Sequence, residues 1–547
     1  MSEATEAEGV SAHVLRAERL ARDGALIEAE IELRRALAIA PIDTTTVAAL
    51  ARVQLALNRI PQASATIDAL IGAGVALPAE LHRLRGQVLL AMSRFAESAS
   101  AFRAAVAADP SDGQAEFGLA VALGESGLDH AAADAAGNAI AKGYDNAGSR
   151  FALARALSAS GRFKEALAEF RQLLRRHPQH AAAHANFADL VWMLTGDVDV
   201  ATAELGAALQ QTPSSYALRI IRSRLLDSAG RTGLAYSELA AALAKDPRNL
   251  ELHLAAANTS LTLDPQRALA HAERAMYLSS DDVRALHVYA DALLGAGHPE
   301  RVLSVTDSLL GMSPDDGRAI ALRASAWRVL GDPRYRMLYD YERFVRASML
   351  DTPDGWSDLA SYLRDLASSL HRRHDPLRAH PVAQTLRGGT QVLLSMQATN
   401  DPAIRALPQA IAGPIRRYID ELGTGDDPLR RRNTGAYEIG EFWSVRLRNG
   451  GYHLNHYHGK GWLSSACYVE IPDAACGAGG SGWLKFGEPR MQTSPRLQPE
   501  YCVRPEPGLL VLFPAWMWHG TMPFDGGDGN TRLTVAFDVV PRMHTGM

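Results

Sequence analysis

Three histidines in the C-terminal third of the chain have the spacing of a metal site. His456 and His458 are separated by one residue, and His519 follows a distant apolar run. Side chains at positions i and i+2 of an extended segment point to the same face, so His456 and His458 can chelate one ion from a single stretch of backbone. His519 would complete a facial set of three imidazoles and leave coordination positions free for other ligands. Because imidazole suits iron, zinc, copper and nickel, ligand type alone leaves the metal open.

A second candidate is Arg532, which alternation in an extended strand places on one face with Thr534 and Ala536. An inward-facing arginine in a small β-domain is a costly buried charge unless a carboxylate meets it. A bound dicarboxylate would supply that partner, and Thr534 could add a hydroxyl hydrogen bond. The alternative is an exposed strand arginine paired with Asp525 or Asp528.

Other residues near these candidates carry weaker signals. His453 lies three residues before His456, so it should face the other way in a strand, and we expect it beside the site rather than among the ligands. The glycine-rich stretch 477–482 lacks the lysine and serine or threonine of a phosphate loop, which favours a lid or hairpin beside the site. Four tryptophans could line a pocket, although aromatic residues of a compact barrel are more often core: Trp462, Trp483, Trp516 and Trp518.

Short strands must position these residues. After Gly423 the sequence consists of short β-branched or aromatic runs separated by glycine, proline and asparagine. Many short strands at close spacing favour a sandwich or small barrel over a doubly wound sheet. Helices are predicted just before this region, at 356–373 and 404–422. The predicted strands are 442–447, 462–471, 482–486, 508–513 and 532–539.

The N-terminal part of the chain is rich in alanine and leucine and is periodic. A glycine precedes a helix-stopping proline by 17 residues four times, as in Gly161 and Pro178, and the prolines recur at multiples of about 34 residues. Between them, small Ala166 allows close helix approach and Phe170 fills the gap. This order resembles the tetratricopeptide repeat (TPR). Stacked TPR helix pairs form a solenoid with a groove suited to a peptide or a partner helix. The alternative is an array that only supports or dimerises the C-terminal part.

These patterns divide the chain into four parts. We expect a disordered N-terminus (1–11), a TPR-like array (12–346), a helical linker packed on the C-terminal domain (347–389) and that domain itself (390–547). A chain of 547 residues is too long for one core, which agrees with several domains. The predicted fold class is therefore α+β multidomain, with an N-terminal α-solenoid and a C-terminal β-domain.

Composition excludes several classes of protein. The apolar fraction of 47% and charged fraction of 21% are typical of folded proteins. A net charge of −5 without a basic patch argues against nucleic-acid binding. The longest apolar run, 508–518, is broken by Pro514 and too short to span a membrane. The acidic start lacks a secretory pattern and the three cysteines lack a disulfide framework, so we expect a cytoplasmic protein.

Several C-terminal segments, in their order along the chain, resemble one enzyme family. They are similar to bacterial 2OG-Fe(II) oxygenases, which are often joined to TPR repeats, over residues 384–541. The resemblance implies a double-stranded β-helix (jelly-roll or cupin-like) domain that uses Fe(II), 2-oxoglutarate and O2. It implies His456 and His519 as iron ligands, Arg532 as the anchor of the cosubstrate's carboxylate, and Tyr468 as a further hydroxyl on that carboxylate. The segments are 455–465, 482–489, 507–514, 518–521 and 532–538.

The chain departs from the wider superfamily at His458, where an aspartate or glutamate is usual. Three neutral imidazoles would make the metal site more positive by one charge. Alternatively, His458 lies beside the iron, and water or a more distant carboxylate is the third ligand.

By this resemblance we expect a 2-oxoglutarate-dependent dioxygenase, a hydroxylase. Its substrate would be a peptide or protein side chain presented by the TPR groove, or a small molecule. Two alternatives remain. One is a non-catalytic TPR interaction scaffold with a degenerate barrel, and the other is a three-histidine metal dioxygenase that does not use 2-oxoglutarate.

Overall fold

The structure, a computed structural model, describes residues 3–397, 399–527 and 529–542. The chain divides into two compact units, one ending at Pro178 and one beginning at Gln179. The first unit consists of helices joined by short turns. They are α1 Glu3–Arg22, α2 Leu26–Ile39, α3 Thr44–Ala56, α4 Ile60–Gly72, α5 Ala79–Ala91, α6 Phe95–Ala108, α7 Gly113–Glu125, α8 Asp129–Ala141, α9 Ala147–Ala159 and α10 Phe163–Arg176.

The second unit begins with further helices of the same kind and continues into a β-rich domain. The helices of the repeat type are α11 Ala181–Thr195, α12 Val198–Gln211, α13 Tyr216–Ser228, α14 Thr232–Leu243, α15 Leu250–Ser260, α16 Pro265–Leu278, α17 Val283–Gly295, α18 Pro299–Met312 and α19 Gly317–Val329. They are followed by α20 Tyr335–Leu338, α21 Tyr341–Phe344, α22 Leu359–His374, α23 Pro402–Arg405 and α24 Leu407–Leu422.

The helix pairs follow from local sequence signals. The turn after a stop position ends in a polar residue that caps the next helix: the Asp112 side chain accepts from the Ala115 amide, and Asp316 accepts from Ala319. Within each unit, small residues allow close packing. A Cβ at Gly118 would lie 2.3 Å from the Phe102 ring, so only glycine lets α7 approach α6 this closely. The predicted α-solenoid of TPR-like pairs is confirmed.

The β-rich domain has two antiparallel sheets. The larger runs in the order β1-β7-β4-β9-β3-β2 and the smaller in the order β6-β5-β8. Phe486 of the small sheet meets Phe513 of the large one edge-on at 5.0 Å, which places apolar core between the sheets. This agrees with the predicted jelly-roll class. The strands are β1 Arg346–Met349, β2 Leu386–Leu394, β3 Tyr437–His453, β4 Leu463–Glu470, β5 Leu484–Phe486, β6 Tyr501–Val503, β7 Leu509–Pro514, β8 His519–Thr521 and β9 Arg532–Pro541.

The structure differs from the expected layout in two places. Helix α1 begins at Glu3, inside the segment 1–11 for which disorder was expected, and alanine and glutamate there are strong helix formers. The expected linker 347–389 is helical only in α22. Strand β1 pairs with β7, and β2 begins at Leu386 and pairs with β3, so both ends of the linker belong to the large sheet.

The last repeat helices pack directly on the β-domain. Arg328 of α19 donates hydrogen bonds to the carbonyls of Gly487 (2.8 Å) and Gln498 (2.7 Å). Nearby, the Trp518 indole N–H donates to the Ser325 hydroxyl at 3.0 Å. Ser325, Gly487 and Trp518 are buried and Arg328 is half-buried, so these contacts join the last repeat helices and the β-domain, whereas Gln498 is exposed at the edge.

Two further expectations concern the whole chain. Within the described ranges, no helix is long and apolar enough to cross a lipid bilayer. Cys467, Cys476 and Cys502 are all free.

The connector before β2 is anchored on the repeat helices. The amides of Arg378 and Ala379 donate to the carbonyl of Met193, and the Val382 amide donates to the Asp189 carboxylate at 2.8 Å. Burial raises the pKa of Asp189 to about 6, while the hydrogen bond from Val382 opposes that rise. The folded state therefore favours the neutral acid at this position.

We expect Asp189→Asn to stabilise the protein at high pH. Because the folded-state pKa is raised, the stabilising contribution of Asp189 is complete below the ordinary carboxyl pKa and is lost as the pH rises through about 6. An asparagine accepts from Val382 without titrating. At pH 8 the free energy of unfolding of the variant should exceed that of wild type by roughly 1–3 kcal/mol, and the two values should be equal near pH 4. Thermal melting between pH 4 and pH 8 tests this prediction, with Asp420→Asn, at an exposed position of α24, as the control. Melting temperatures of Asp189→Asn and wild type that change equally with pH would contradict it.

Candidate active site

Three imidazoles converge at one end of the sandwich. The candidate ligand nitrogens of His456, His458 and His519 all lie within 4.8 Å of one another. Two nitrogens bound about 2.1 Å from a single ion can be at most about 4.2 Å apart, so this spacing is near that of a shared site. His519 is buried and the other two are half-buried. The structure thus brings together the three histidines that the sequence singled out.

Hydrogen bonds orient each imidazole. His456 Nδ1 lies 2.8 Å from the Leu454 carbonyl oxygen, and His519 Nδ1 lies 2.8 Å from that of Met517. Because a carbonyl oxygen only accepts, each Nδ1 must carry the proton, which leaves Nε2 with a free lone pair. Burial lowers the pKa of His456 to about 3 and that of His519 well below its usual value, so both rings are neutral, as a metal ligand requires.

His458 has a carboxylate partner that the sequence reasoning missed. Its Nδ1 lies 2.7 and 2.8 Å from the two oxygens of Asp538, on β9. A carboxylate behind a ligand histidine fixes the ring and raises its basicity. The signal was present, since Asp538 continues the alternating face of Arg532, Thr534 and Ala536. The Asp538–His458 pair therefore supplies the negative charge that His458 itself lacks.

Arg532 is the one buried cation in the cavity beside the histidines, within the described residues. It is only 2% exposed, its Nε has no hydrogen-bond partner, and it forms no ion pair with a described carboxylate. Burial lowers its pKa, and the nearby Tyr468 opposes that change. The alternative of an exposed arginine is thus ruled out by burial; Asp525 is exposed on its loop, and Asp528 lies outside the described residues. Because a buried charge is costly unless it is paired, an anionic ligand would stabilise this guanidinium.

A partly open cavity of about 60 Å³ connects these groups, with room for several water molecules at roughly 10–15 Å³ each. Its wall includes the three histidines, Arg532, Thr534 and Ala536, and apolar Val445, Leu484 and Phe513. Tyr468 does not line the cavity: its buried ring lies 5.1 Å from the Arg532 guanidinium carbon, and its hydroxyl has no hydrogen-bond partner. Tyr468 thus flanks the guanidinium from behind the wall.

Other predicted neighbours of the site are placed differently. His453 lines the cavity instead of facing away, with its ring 5.9 Å from that of His456, but it is outside the convergent set. The strand ends there, so its alternation does not continue to His456. None of the four tryptophans considered above lines the cavity; Trp443 of β3 does, 5.8 Å from the His458 ring. Residues 477–482 also lie outside the wall.

Comparison with known families assigns both parts of the chain. Residues 441–538 match the model of the family described as "Putative 2OG-Fe(II) oxygenase". This region is similar to that family. The tetratricopeptide-repeat model matches three times, at 48–112, 83–148 and 151–216. The resemblance to TPR-linked oxygenases is therefore confirmed, and the matched region 441–538 contains all the candidate site residues.

Solved structures similar to this chain are TPR proteins. A tetratricopeptide repeat protein from Parabacteroides merdae is 13% identical, with a TM-score of 0.37, over 52% of this chain and 99% of that one. Yeast Tom70 is 13% identical, with a TM-score of 0.39, over 67% and 89%. Pseudomonas aeruginosa pilF is 17% identical, with a TM-score of 0.34, over 39% and 96%. No curated protein sequence matches the chain.

The donors of the oxygenase domain fit the metal its family implies. Three imidazoles, of which His456 and His519 keep a free lone pair on Nε2, suit Fe(II), although they also suit Zn(II) and Cu(II). The unpaired Arg532 guanidinium, in the wall of the same cavity, fits a dicarboxylate such as 2-oxoglutarate. The metal is thus matched by the three imidazoles, and the dicarboxylate by a guanidinium that has no ion-pair partner among the described residues.

We expect Asp538→Asn to weaken metal binding about 10- to 100-fold, because the amide loses the charge that orients and polarises His458. Titration of the metal-free protein with Co(II), followed by visible absorption, measures this. Asp525→Asn, on an exposed loop of the same domain, is the matched control. Equal affinities for wild type and Asp538→Asn would show that the carboxylate does not act on the site.

Proposed function

We propose that this chain is an Fe(II)- and 2-oxoglutarate-dependent oxygenase that hydroxylates its substrate. The observation that carries the proposal is a buried arginine without a carboxylate partner in the same cavity as three convergent imidazoles. A three-histidine dioxygenase that does not use 2-oxoglutarate would need such an arginine only for an anionic substrate. The family match of residues 441–538 supports the same assignment.

Each residue has a defined part in this proposal. His456, His458 and His519 would hold the iron through Nε2. When bound, Fe(II) with 2-oxoglutarate and O2 supplies the oxidising power that hydroxylates a C–H bond and leaves CO2 and succinate. Arg532 would bind the far carboxylate of the cosubstrate, Thr534 would donate a hydroxyl hydrogen bond to it, and Tyr468 would hold the guanidinium in place.

The remaining wall residues control water and protons. Val445, Leu484 and Phe513 are almost fully buried and present apolar surface to the cavity, which excludes water from the reacting groups. Asp538 keeps the proton of His458 on Nδ1, so Nε2 stays available.

We further propose that the substrate is a peptide or protein side chain, with a small molecule as the second candidate. TPR arrays commonly bind peptide segments, and here the repeat helices touch the oxygenase domain directly through Arg328 and Trp518. A substrate bound to the last repeat helices, next to α19, would therefore lie close to the β-domain that contains the cavity.

Succinate formation tests the oxygenase proposal. The purified protein with Fe(II), ascorbate and air should convert 2-oxoglutarate to succinate slowly even without its main substrate. His519→Ala should abolish the reaction. Arg532→Ala should raise the KM for 2-oxoglutarate at least about 30-fold, equivalent to about 2 kcal/mol, because a charge-assisted pair is lost. Arg504→Ala, at an exposed position outside the cavity, should behave as wild type.

The alternatives predict other outcomes. Metal binding without succinate formation or 2-oxoglutarate binding would favour a non-catalytic scaffold. Oxygen consumption that persists unchanged in Arg532→Ala would favour a dioxygenase independent of 2-oxoglutarate. Co(II) binding by Arg532→Ala distinguishes loss of the carboxylate anchor from loss of the fold.

A further inference from the structure

A second, larger cleft lies beside the candidate active site. It has a volume of about 300 Å³ and runs between the ends of repeat helices and the oxygenase domain. The repeat side contributes Asp227, Gly230, Thr232 and Thr262; the oxygenase side contributes Arg387, Tyr452, His453, Leu454, Asn455, Lys485 and Arg490. His453 belongs to the walls of both cavities. The cleft is therefore adjacent to the reacting groups.

The wall of the cleft is continuous with the metal site. The Leu454 carbonyl, in the wall, accepts the hydrogen bond that orients His456. Asn455, also in the wall, is the residue next to His456 in the chain. A group held in the cleft would thus be within a few residues of the candidate iron ligands, on the side of the cavity where His453 lies.

The cleft has an excess of positive charge. Its wall carries Arg387, Lys485 and Arg490 against the single carboxylate of Asp227. Lys485 is paired with Glu488, which lies outside the wall. Among the described residues, neither arginine forms an ion pair with any carboxylate. One concave site thus holds two guanidinium groups that form no ion pair among the described residues, with the single carboxylate of Asp227 in the same wall.

Arg387 is the more constrained of the two arginines. It is half-buried, and its guanidinium donates to the Gln384 and Leu386 carbonyls, which hold it in place. Burial lowers the pKa of Arg387, and the neighbouring Arg490 lowers it further, while Asp227 partly offsets both. A positioned, partly desolvated guanidinium beside a second cation is a favourable site for an anion.

We propose that this cleft binds an anionic group of the substrate, a carboxylate or a phosphate, through Arg387 and Arg490. This anionic group would lie in the substrate close to the carbon that reacts in the neighbouring cavity. The assignment of the ligand as the substrate rests on the oxygenase function proposed above. The wall supplied by the repeats is lined by glycine and threonine, which leaves room for a polypeptide backbone as well as for a free small anion.

Charge reversal at Arg490 tests the proposal directly. Arg490 is exposed and has no ion pair to break, so Arg490→Glu should fold normally. The probe is a fluorescein-labelled hexaglutamate peptide, with citrate and inorganic phosphate as small anions. Fluorescence anisotropy at low salt should show at least tenfold weaker peptide binding by Arg490→Glu than by wild type. Arg504→Glu, exposed in the same domain but outside the cleft, should bind within twofold of wild type.

The arms of the experiment separate the sources of the anion. Hexaglutamate binding that depends on Arg490 indicates a polypeptide ligand. Binding of citrate or phosphate that depends on Arg490, seen as a shift in melting temperature, without peptide binding indicates a small-molecule ligand. The proposal is overturned if Arg490→Glu and Arg504→Glu bind alike, or if wild type binds none of the three anions.

The succinate assay on wild type keeps the two proposals distinguishable. Succinate formation without anion binding in the cleft would support the oxygenase function and overturn the proposal that the cleft binds an anionic group of the substrate. Anion binding that depends on Arg490, without succinate formation, leaves an anion-binding cleft on a protein that is not a 2-oxoglutarate oxygenase.

Discussion

The geometry of the candidate metal site depends on a short backbone pairing. The His456 amide donates to the His519 carbonyl, and the His519 amide donates back to that of His456, both at 2.8 Å. Residues directly opposite in an antiparallel pair project to the same side, so the two imidazoles meet with ring centroids 4.1 Å apart. The His458 amide then donates to the Ala515 carbonyl, which keeps the segment extended and returns the third imidazole to the same face.

The opposite face of that segment belongs to the repeat helices. Tyr457, between the two histidines in the chain, is half-buried, and its ring meets Trp518 edge-on at 4.6 Å. Beyond it, Gly317 at the start of α19 lies so close to Gly459 that a Cβ would be 2.9 Å from the Gly459 carbonyl oxygen. A side chain at this position would push the histidine segment out of place. The end of the repeat array therefore packs against the histidine segment and supports it. The support of the C-terminal part by the array, which we considered from the sequence, is compatible with substrate binding by the same helices.

The sequence predicts the structural features that depend on local periodicity, but it does not predict contacts between residues that are distant in the chain. Alternation at His456 and His458, and again at Arg532 and Thr534, predicted which side chains share a cavity, and the spacing of glycine and proline predicted the helix pairs. Strand β1 is four residues long and is defined by its pairing with β7, more than 150 residues away, so no local pattern reveals it. The position of Trp443 likewise arises only when β3 and β9 pair. The hydrogen bond from His458 to Asp538 depends on the pairing of β4 with β9, which sets Asp538 opposite Ser464. The roles of the site residues in catalysis remain predictions.

The charge of the site follows from this last contact. A site with two histidines and one carboxylate carries one negative charge on its ligands, whereas three neutral imidazoles carry none. Here the carboxylate of Asp538 lies one hydrogen bond behind His458, at 2.7 Å from Nδ1, so the same negative charge is retained one residue further from the metal position. Because a carboxylate accepting from Nδ1 makes Nε2 a stronger donor, part of that charge acts through the ring. In the proposed iron site, His458 and the aspartate on β9 would therefore act together, as one carboxylate–histidine unit in place of a direct carboxylate ligand.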